Sequence, residues 1–428
     1  MKIGFFTLGC KVNQYETQVM RELFEKQGDT VTTDAADCDV YVINSCTVTA
    51  ESDRKTRQML RKYRALCKNA VIVLTGCMPQ AFPNIADSLP EADIIVGNTN
   101  PTEIPILVQE FLRNGEKIVK IRKHQRNENF NTPHITDFEE RTRAFMKIQD
   151  GCDRYCTYCI IPFARGNIRS KTLESIKEEA EKLGKKGFCE IVLVGINLTS
   201  FGKETGKNIC DAVETVCAVD SIKRIRLGSL EPDHISDEML HRLKLQKKFC
   251  PQFHLSLQSG CDETLKRMNR HYDTAFYSDL VKRIRKNFSD AAITTDIMVG
   301  FAGETEQEFN KSLDFAKRIK FASAHVFAYS RREGTVAYNL KNQVDKKEKS
   351  RRSKAMIEAT QITQIAFLDD MIGKNCSVLF ENKDNLGYYH GFSENYCQVK
   401  VKSSENLTGK LLTVKITDRQ ENFLLGKI

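Results

Sequence analysis

The sequence predicts an α/β chain built in three parts: a doubly wound parallel sheet, an incomplete barrel of six strand-helix units, and a small all-β barrel. Three observations predict it. At 428 residues the chain is two to four times an ordinary domain, so two or three domains with cores of their own are expected. Short apolar runs alternate with helix-period segments in two successive series, separated by a polar, basic stretch. The last 58 residues then change to brief strands at turn-like spacing.

In the first series, apolar runs of strand length occupy 2–9 (KIGFFTLG), 39–45 (DVYVINS), 70–76 (AVIVLTG) and 92–97 (ADIIVG), with helical patterns at 13–27, 51–67 and 80–89. Uninterrupted apolar runs belong to strands buried on both faces, and helices between them make the sheet parallel and doubly wound, a domain over 1–125. Residues from about 117 to 140, including KIRKHQRNENFNTPH, read as the linker. The second domain, 140–368, has strands at AFMKIQD, EIVLVG, IKRIRLGS, QFHLSLQS, AITTDIMVGF and SAHVFAYS, most of them far enough apart for a crossover helix. Six such units make a partial TIM-like (β/α)6 barrel. A charged helical stretch over 344–368 leads to the third domain, 371–428. There NCSVLFE, LGYYHGF, YCQVKV, KLLTVKIT and NFLLGKI give the five strands of a small OB-like barrel.

Composition narrows the function. The opening MKIGFFTLGC has no charged leader or cleavage site, and no later run approaches the roughly 18 apolar residues of a membrane span, so a cytoplasmic protein without membrane contact is expected. Fifteen cysteines in a reducing compartment make metal ligation a better reason for some of them than disulfides. A net charge of +9, from 65 Lys and Arg against 56 Asp and Glu, favours a polyanionic partner.

The segment DGCDRYCTYCIIPFARG carries C-x-x-x-C-x-x-C at Cys152, Cys156 and Cys159, directly after the first strand of the second domain. Three thiolates can hold three irons of a four-iron cluster and leave the fourth open to a small molecule, whereas closed structural sites supply four ligands. A zinc site completed by a distant Cys or His is the competing reading. The motif and its place resemble the radical S-adenosylmethionine (SAM) superfamily. That resemblance implies a [4Fe–4S] cluster, SAM chelated at the open iron, and an adenine contact from Tyr158, the aromatic residue before the third cysteine. Strand ends of such a barrel hold its chemistry. GINLTSFG, LGSLEP, SLQSG and DIMVGFAGE occupy them, which makes Gly195, Ser256, Gln258, Asp296 and Gly300 candidate SAM contacts.

Cys10, Cys46 and Cys77 each fall just beyond a strand of the first domain, in TLGC, INSC and LTGC. Adjacent parallel strands present their carboxyl ends along one sheet edge, so three thiols more than thirty residues apart can meet there. Gly9, Ser45 and Gly76 precede them and let backbone approach an inorganic cluster. The alternative is that they are small buried apolar residues. Cys38 precedes its strand and Cys67 sits late in a helix, so they fit poorly. Cys189, Cys210, Cys217, Cys250, Cys261, Cys376 and Cys397 read as packing residues.

From end to end the chain resembles the radical SAM methylthiotransferases, through LGCKVNQYET, INSCTVT and TGCMPQ, then DGCDRYCTYCIIPFARG, HLSLQSGCDETLKRMNR and TTDIMVGFAGETEQEF. The tail is similar to the RNA-binding TRAM module. GCKVN at 9–13 and RGNIRSK at 165–171 are most similar to the MtaB-type branch, which acts on N6-threonylcarbamoyladenosine beside the tRNA anticodon. Other branches act on isopentenyladenosine or a ribosomal protein. Ala302, Cys261 and the proline-poor YSRREGTVA depart from the family pattern without removing a cluster ligand.

The resemblance implies two [4Fe–4S] clusters, an auxiliary one on Cys10, Cys46 and Cys77 carrying sulfur, and the radical one whose SAM supplies a deoxyadenosyl radical. It also implies a tRNA anticodon stem-loop as partner, with no DNA, and a low-potential electron donor such as flavodoxin or ferredoxin. Both cluster sites are expected to face one cavity. Seven basic residues in 54–68 and seven more in 341–354 are candidate phosphate contacts, with solvated helix faces as the alternative. Tyr388, Tyr389, Phe392 and Tyr396 are candidates for stacking on unpaired bases, no more than two of them outside the core. A zinc-stabilised RNA-binding protein without catalysis is the competing class.

Overall fold

Burial on both faces orders the first sheet. In this computed structural model, which describes all residues except 35, 127 and 139–141, the strands are β1 (Lys2–Thr7), β2 (Thr30–Thr32), β3 (Val40–Ser45), β4 (Val71–Gly76), β5 (Ile94–Val96) and β6 (Ile118–Lys120). They lie in the order β2-β1-β3-β4-β5-β6 with every neighbour parallel. Every residue of β3 and β4 is buried, as uninterrupted apolar runs require. α1 (Lys11–Lys26) packs on one face, α2 (Ala50–Leu66) on the other, and the sheet is doubly wound.

Two edge strands escape the sequence pattern. β2 and β6 have three residues each and are only partly covered, too short for a period to register, and β6 falls where the linker was read to begin. The helix expected at 80–89 is instead a short helix, α3 (Cys77–Ala81), followed by a 3₁₀ turn at Pro83–Ser88. Pro83 lacks the amide hydrogen that would continue an α-helix through it. The second-domain boundary at 140 lies outside the described residues.

The second series opens with β7 (Ala144–Lys147) and β8 (Gln149–Asp150), which pairs with β9 (Arg169–Ser170) across the loop holding the three clustered cysteines. α5 (Ile161–Arg165) lies within that loop, after α4 (Ile104–Asn114) of the first domain. Then come β10 (Glu190–Val194), β11 (Arg224–Leu227), β12 (Ser229–Leu230), β13 (Gln252–Leu255), β14 (Ala292–Val299) and β15 (Ser323–Ala328), parallel and in sequential order. β11 and β12 are one strand interrupted at Gly228, so six strands form the open (β/α)6 barrel. Val12, Tyr15 and Val19 of α1 join its core, which places the first domain against β7.

β16 (Asn375–Lys383), β17 (Tyr388–Ser393), β18 (Gln398–Lys402), β19 (Leu411–Gln420) and β20 (Phe423–Lys427) close into the predicted five-stranded barrel. It caps the end where the (β/α)6 strands begin. Arg226 Nη1 and Nη2 donate to the Glu394 and Ser393 carbonyls at 2.9 and 3.1 Å, and Arg224 Nη1 donates to the Phe392 carbonyl at 3.2 Å. Phe392 and Tyr396 stack on each other at 4.7 Å under Arg143 and Arg226, so this pair serves docking and is not offered to RNA bases. Tyr389 is core, which leaves Tyr388 as the half-exposed aromatic of the four that lies outside this seat.

Candidate functional site

The first domain's order is that of a flavodoxin-like sheet, whose switch point lies between β1 and β3. Cys10 follows β1, Cys46 follows β3 and Cys77 follows β4, so all three lie along that edge. Side chains hold the edge closed. Asn13 Nδ2 donates to Asn44 Oδ1 and the Ser45 carbonyl at 3.2 and 3.1 Å, and Asn44 Nδ2 returns a bond to the Asn13 carbonyl at 2.9 Å. Gly76 takes φ +98°, and a Cβ there would stand 2.4 Å from the Ser45 carbonyl oxygen, so β4 can lie this close to β3 only with glycine.

Cys46 and Cys77 are buried while Cys10 is exposed. Burial pushes the Cys77 thiol up to about 12 and the Cys46 thiol up as well. Opposing groups favour their thiolates: Arg165 Nε donates to Cys77 Sγ at 3.3 Å, and the Val48 amide and Ser52 side chain donate to Cys46. These donors suit sulfurs carrying the negative charge of a cluster ligand.

The second set sits in a loop pinned at several points. The Thr157 amide donates to the Met268 carbonyl at 3.0 Å, Asn269 Nδ2 to the Tyr155 carbonyl at 3.1 Å, and the Cys152 amide to the Gly166 carbonyl at 3.0 Å. Tyr155 is held at φ +47°, a left-handed conformation costly for a bulky residue and forced by the tight wrap of the loop. Arg270 Nη1 donates to Cys156 Sγ at 3.2 Å, while its Nη2 reaches Glu231 at 2.5 Å and the Ser256 carbonyl at 3.0 Å. The amides of Arg154 and Ile161 donate to Cys152 and Cys159, whose thiols burial pushes up, that of Cys152 to about 12. Among the described residues no three His, Cys, Asp or Glu converge closely enough for a single metal ion. Thiolates on separate irons need only surround a common space, so this finding bears on a single ion and not on a four-iron cluster.

Of the candidate SAM contacts, Ser256 is brought to the radical loop through Arg270. Tyr158 lies beside Cys156 and Cys159 and packs edge-on against Phe301 at 6.3 Å. Gln258, at φ +67°, bridges to the Asp296 carbonyl at 2.9 Å and keeps its Oε1 buried without a hydrogen-bond partner, as a residue awaiting a polar ligand would. Gly195 and Asp296 line a cavity of about 740 Å³ inside the barrel, where His254 Nε2 stands 3.2 Å from Asp296. Gly300 is not with them: its amide donates to Glu304 at 2.6 Å and a Cβ there would meet the Lys349 side chain at 2.4 Å, so its backbone shape answers to packing.

Sequence reasoning missed the ties between the two sets. Arg165, fully buried, donates to both Glu16 carboxylate oxygens, through Nη2 at 2.9 Å, and stands 3.5 Å from Asp150. Lys147 reaches Glu16 at 2.8 Å and Asp150 at 2.6 Å. Burial opposes ionisation of both acids, but Arg165 and Lys147 together hold Glu16 and Asp150 below the usual carboxylate range. One side chain thus links Cys77 of the first domain to the loop bearing Cys152, Cys156 and Cys159. Of the six cysteines only Cys10 lines the cavity, so the expectation that both sets open onto it is met on one side alone. Buried Arg165 and Arg270 fill the space beside the others.

The basic stretches divide likewise. In α2, Arg64 holds Asp93 at 2.5 Å, Arg57 faces Ser88, and the exposed Arg54 and Arg61 pair with Glu51 and Glu91, while Lys55, Lys62 and, just past the helix, Lys68 are exposed. In α12 (Lys346–Asp369), which follows α6 (Leu173–Lys185), α7 (Ile209–Cys217), α8 (Asp237–Leu245), α9 (Asp262–Arg267), α10 (Thr274–Asn287) and α11 (Glu306–Ile319), Arg352 is buried against Glu304.

Comparison with known proteins places this geometry. The Radical SAM superfamily model matches residues 146–316, and a second, described as "Uncharacterized protein family UPF0004", matches 2–97. The threonylcarbamoyladenosine tRNA methylthiotransferase MtaB of Bacillus subtilis is 34% identical over 97% of this chain and 93% of its own length. That of Aquifex aeolicus is 35% identical over 97% and 100%. The chain belongs to the radical SAM methylthiotransferase family. As a radical SAM methylthiotransferase it is an enzyme that uses SAM and a [4Fe–4S] cluster. A tRNA-2-methylthio-N(6)-dimethylallyladenosine synthase of Natranaerobius thermophilus is 33% identical over 100% of the chain and 96% of its own, so identity alone separates the branches weakly. The radical SAM methyltransferase TsrM of Kitasatospora setae shares the fold, with TM-score 0.60 at 14% identity over 78% of this chain and 76% of its own. Among the described residues no helix is long and apolar enough to cross a membrane.

Proposed function

We propose that this enzyme places a methylthio group on carbon 2 of N6-threonylcarbamoyladenosine beside the anticodon of tRNA. In this reading Cys152, Cys156 and Cys159 hold the radical cluster, Cys10, Cys46 and Cys77 hold an auxiliary cluster, and Tyr158, Ser256, Gln258, Asp296 and Gly195 surround SAM. The carbon lies between two ring nitrogens and has neither an acidic hydrogen nor a leaving group, so acid-base chemistry cannot exchange its hydrogen for sulfur. When bound, the clusters and SAM supply the electron, the hydrogen abstraction and the sulfur.

The chain's own residues do the rest. Arg165 and Arg270 each donate to one sulfur of a set and exclude water beside it. The barrel interior, open next to Cys10, has the size to admit one modified base. Exposed cations of α2, just after Cys46, are suited to phosphates of the anticodon stem, and Tyr388 to an unpaired base. The three parts divide the work as 1–125 for the auxiliary cluster, 140–368 for SAM and 371–428 for RNA, with a low-potential flavodoxin or ferredoxin as electron source.

The observation that carries the reading is the gathering of three strand-end cysteines at one sheet edge, tied by Arg165 to the radical loop. Anaerobic protein should hold about eight irons, falling to about four in Cys156→Ala and in Cys46→Ala. Digestion of tRNA from cells with and without the gene then identifies the nucleoside. Loss of the methylthio form of isopentenyladenosine instead would select the second branch, one member of which is 33% identical over the whole chain.

A further inference from the structure

The cavity beside Cys10 is lined by Gly, Ser, Thr, Gln, Asn, His and apolar residues, with one carboxylate and one ammonium among them. Asp296 is the carboxylate, and it is met by His254 at 3.2 Å. Lys11 is the one lysine or arginine among the described lining residues, and its ammonium has neither a hydrogen-bond acceptor nor an ion-pair partner. It rests over the Phe145 ring at 5.9 Å. A cation held inside a protein against apolar surface is costly unless an anion meets it.

Its neighbours cannot supply that anion. Glu190 is the nearby carboxylate, and it is shared by Arg224 at 3.1 Å, Arg226 at 3.2 Å and Arg143 at 3.7 Å. These three arginines also hold the small β-barrel in place, so Glu190 lies among cations other than Lys11. This side of the cavity therefore carries more positive than negative charge, and the field favours an incoming anion.

Taking the proposed function as the starting point, we propose that Lys11 is a specificity residue that receives the threonyl carboxylate of the substrate base. The substituent on N6 and the carbon to be modified lie on the same edge of adenine. A carboxylate at the end of that substituent thus comes within side-chain reach of whatever holds the sulfur next to carbon 2. Lys11 is the residue after Cys10, whose place in this reading is on the sulfur-bearing cluster. An isopentenyl substituent carries no charge and leaves the ammonium unpaired, so the same residue selects against the sister substrate. A backbone phosphate is the other anion RNA offers; Lys11 lines a cavity sized for one base, and the ester comparison tells the two apart.

The test uses the anaerobically loaded full-length enzyme and anticodon stem-loops bearing threonylcarbamoyladenosine, its threonyl methyl ester, or isopentenyladenosine. Wild-type enzyme should show a KM for the ester about tenfold or more above that for the acid, with kcat nearly unchanged, the size expected of a lost charge-assisted hydrogen bond. Lys11→Met, checked for unchanged iron content, should treat acid and ester alike at the raised KM, and Lys11→Arg should restore preference for the acid. Equal KM for acid and ester in the wild type overturns the assignment, as a phosphate contact would produce, and so does a Lys11→Met enzyme that keeps the wild-type preference. Because the ester comparison uses unmutated protein, it can overturn the assignment even if the variants fail to load. Wild-type product on the isopentenyladenosine stem-loop alone would instead mark failure of the proposed function, and the Lys11 assignment would fall with it.

Discussion

Arg165 meets three partners from inside the protein, and each is harmed differently by its loss. Arg165→Met would leave Glu16 with Lys147 as its remaining close cation, Asp150 with Lys147 and Arg169, and Cys77 without its 3.3 Å donor. Removing one partner of a buried ion pair costs about 3–5 kcal/mol. We expect a lower apparent Tm by scanning calorimetry and loss of about half the iron. A variant with wild-type Tm and iron would show the network to be dispensable. Acid gives a second handle. Glu16 and Asp150 are held below their ordinary values, so their contribution is complete above the unfolded carboxylate range near pH 4 and is lost as pH falls through the depressed folded values. Glu16→Gln should flatten stability against pH in that acid window, as read by denaturation midpoints from pH 3 to 6. Such a network is silent in sequence: Glu16 and Arg165 are 149 positions apart, and a lone charge has no period to betray a buried partner.

Strands and helices were more legible than the charges between them. β3 and β4 announce themselves because both faces are buried, and the cysteines at their ends inherit a place from the topology. β2 and β6 were hidden by brevity, and α3 by a proline that cut an apparent helix in two. The tightest constraint on these elements is Gly76, where β4 ends against β3 and Cys77 begins α3. Gly76→Ala demands both a left-handed φ and relief of the 2.4 Å clash, a cost of about 1–3 kcal/mol or more. Iron analysis should show the auxiliary complement reduced while Cys152, Cys156 and Cys159 keep theirs. Retention of both complements would mean that the sheet edge yields more easily than its packing implies.

Buried charge joins the three parts, alongside the apolar contact of Val12, Tyr15 and Val19 with the (β/α)6 core, and no single segment discloses it. The small barrel was readable as five strands, yet its seat on Arg143, Arg224 and Arg226 was not, and two aromatics that looked ready for RNA form that seat. Arg226→Ala removes two donors to the carbonyls of residues 393 and 394, each buried acceptor left unmet costing about 1–3 kcal/mol. The expected outcome is faster limited proteolysis between α12 and β16, with weaker tRNA binding in a filter assay. Unchanged cleavage there would show that packing alone holds the barrel.

The uneven exposure of the first cysteine set also fixes an order of chemical attack. Cys10 stands open to solvent while Cys46 and Cys77 are enclosed, the latter with its thiol pushed up to about 12. In cluster-free protein an alkylating reagent or peroxide should therefore mark Cys10 first. Damage begun there would disable an auxiliary cluster while leaving the other five candidate ligands intact, and mass spectrometry of briefly alkylated protein would read that sequence directly.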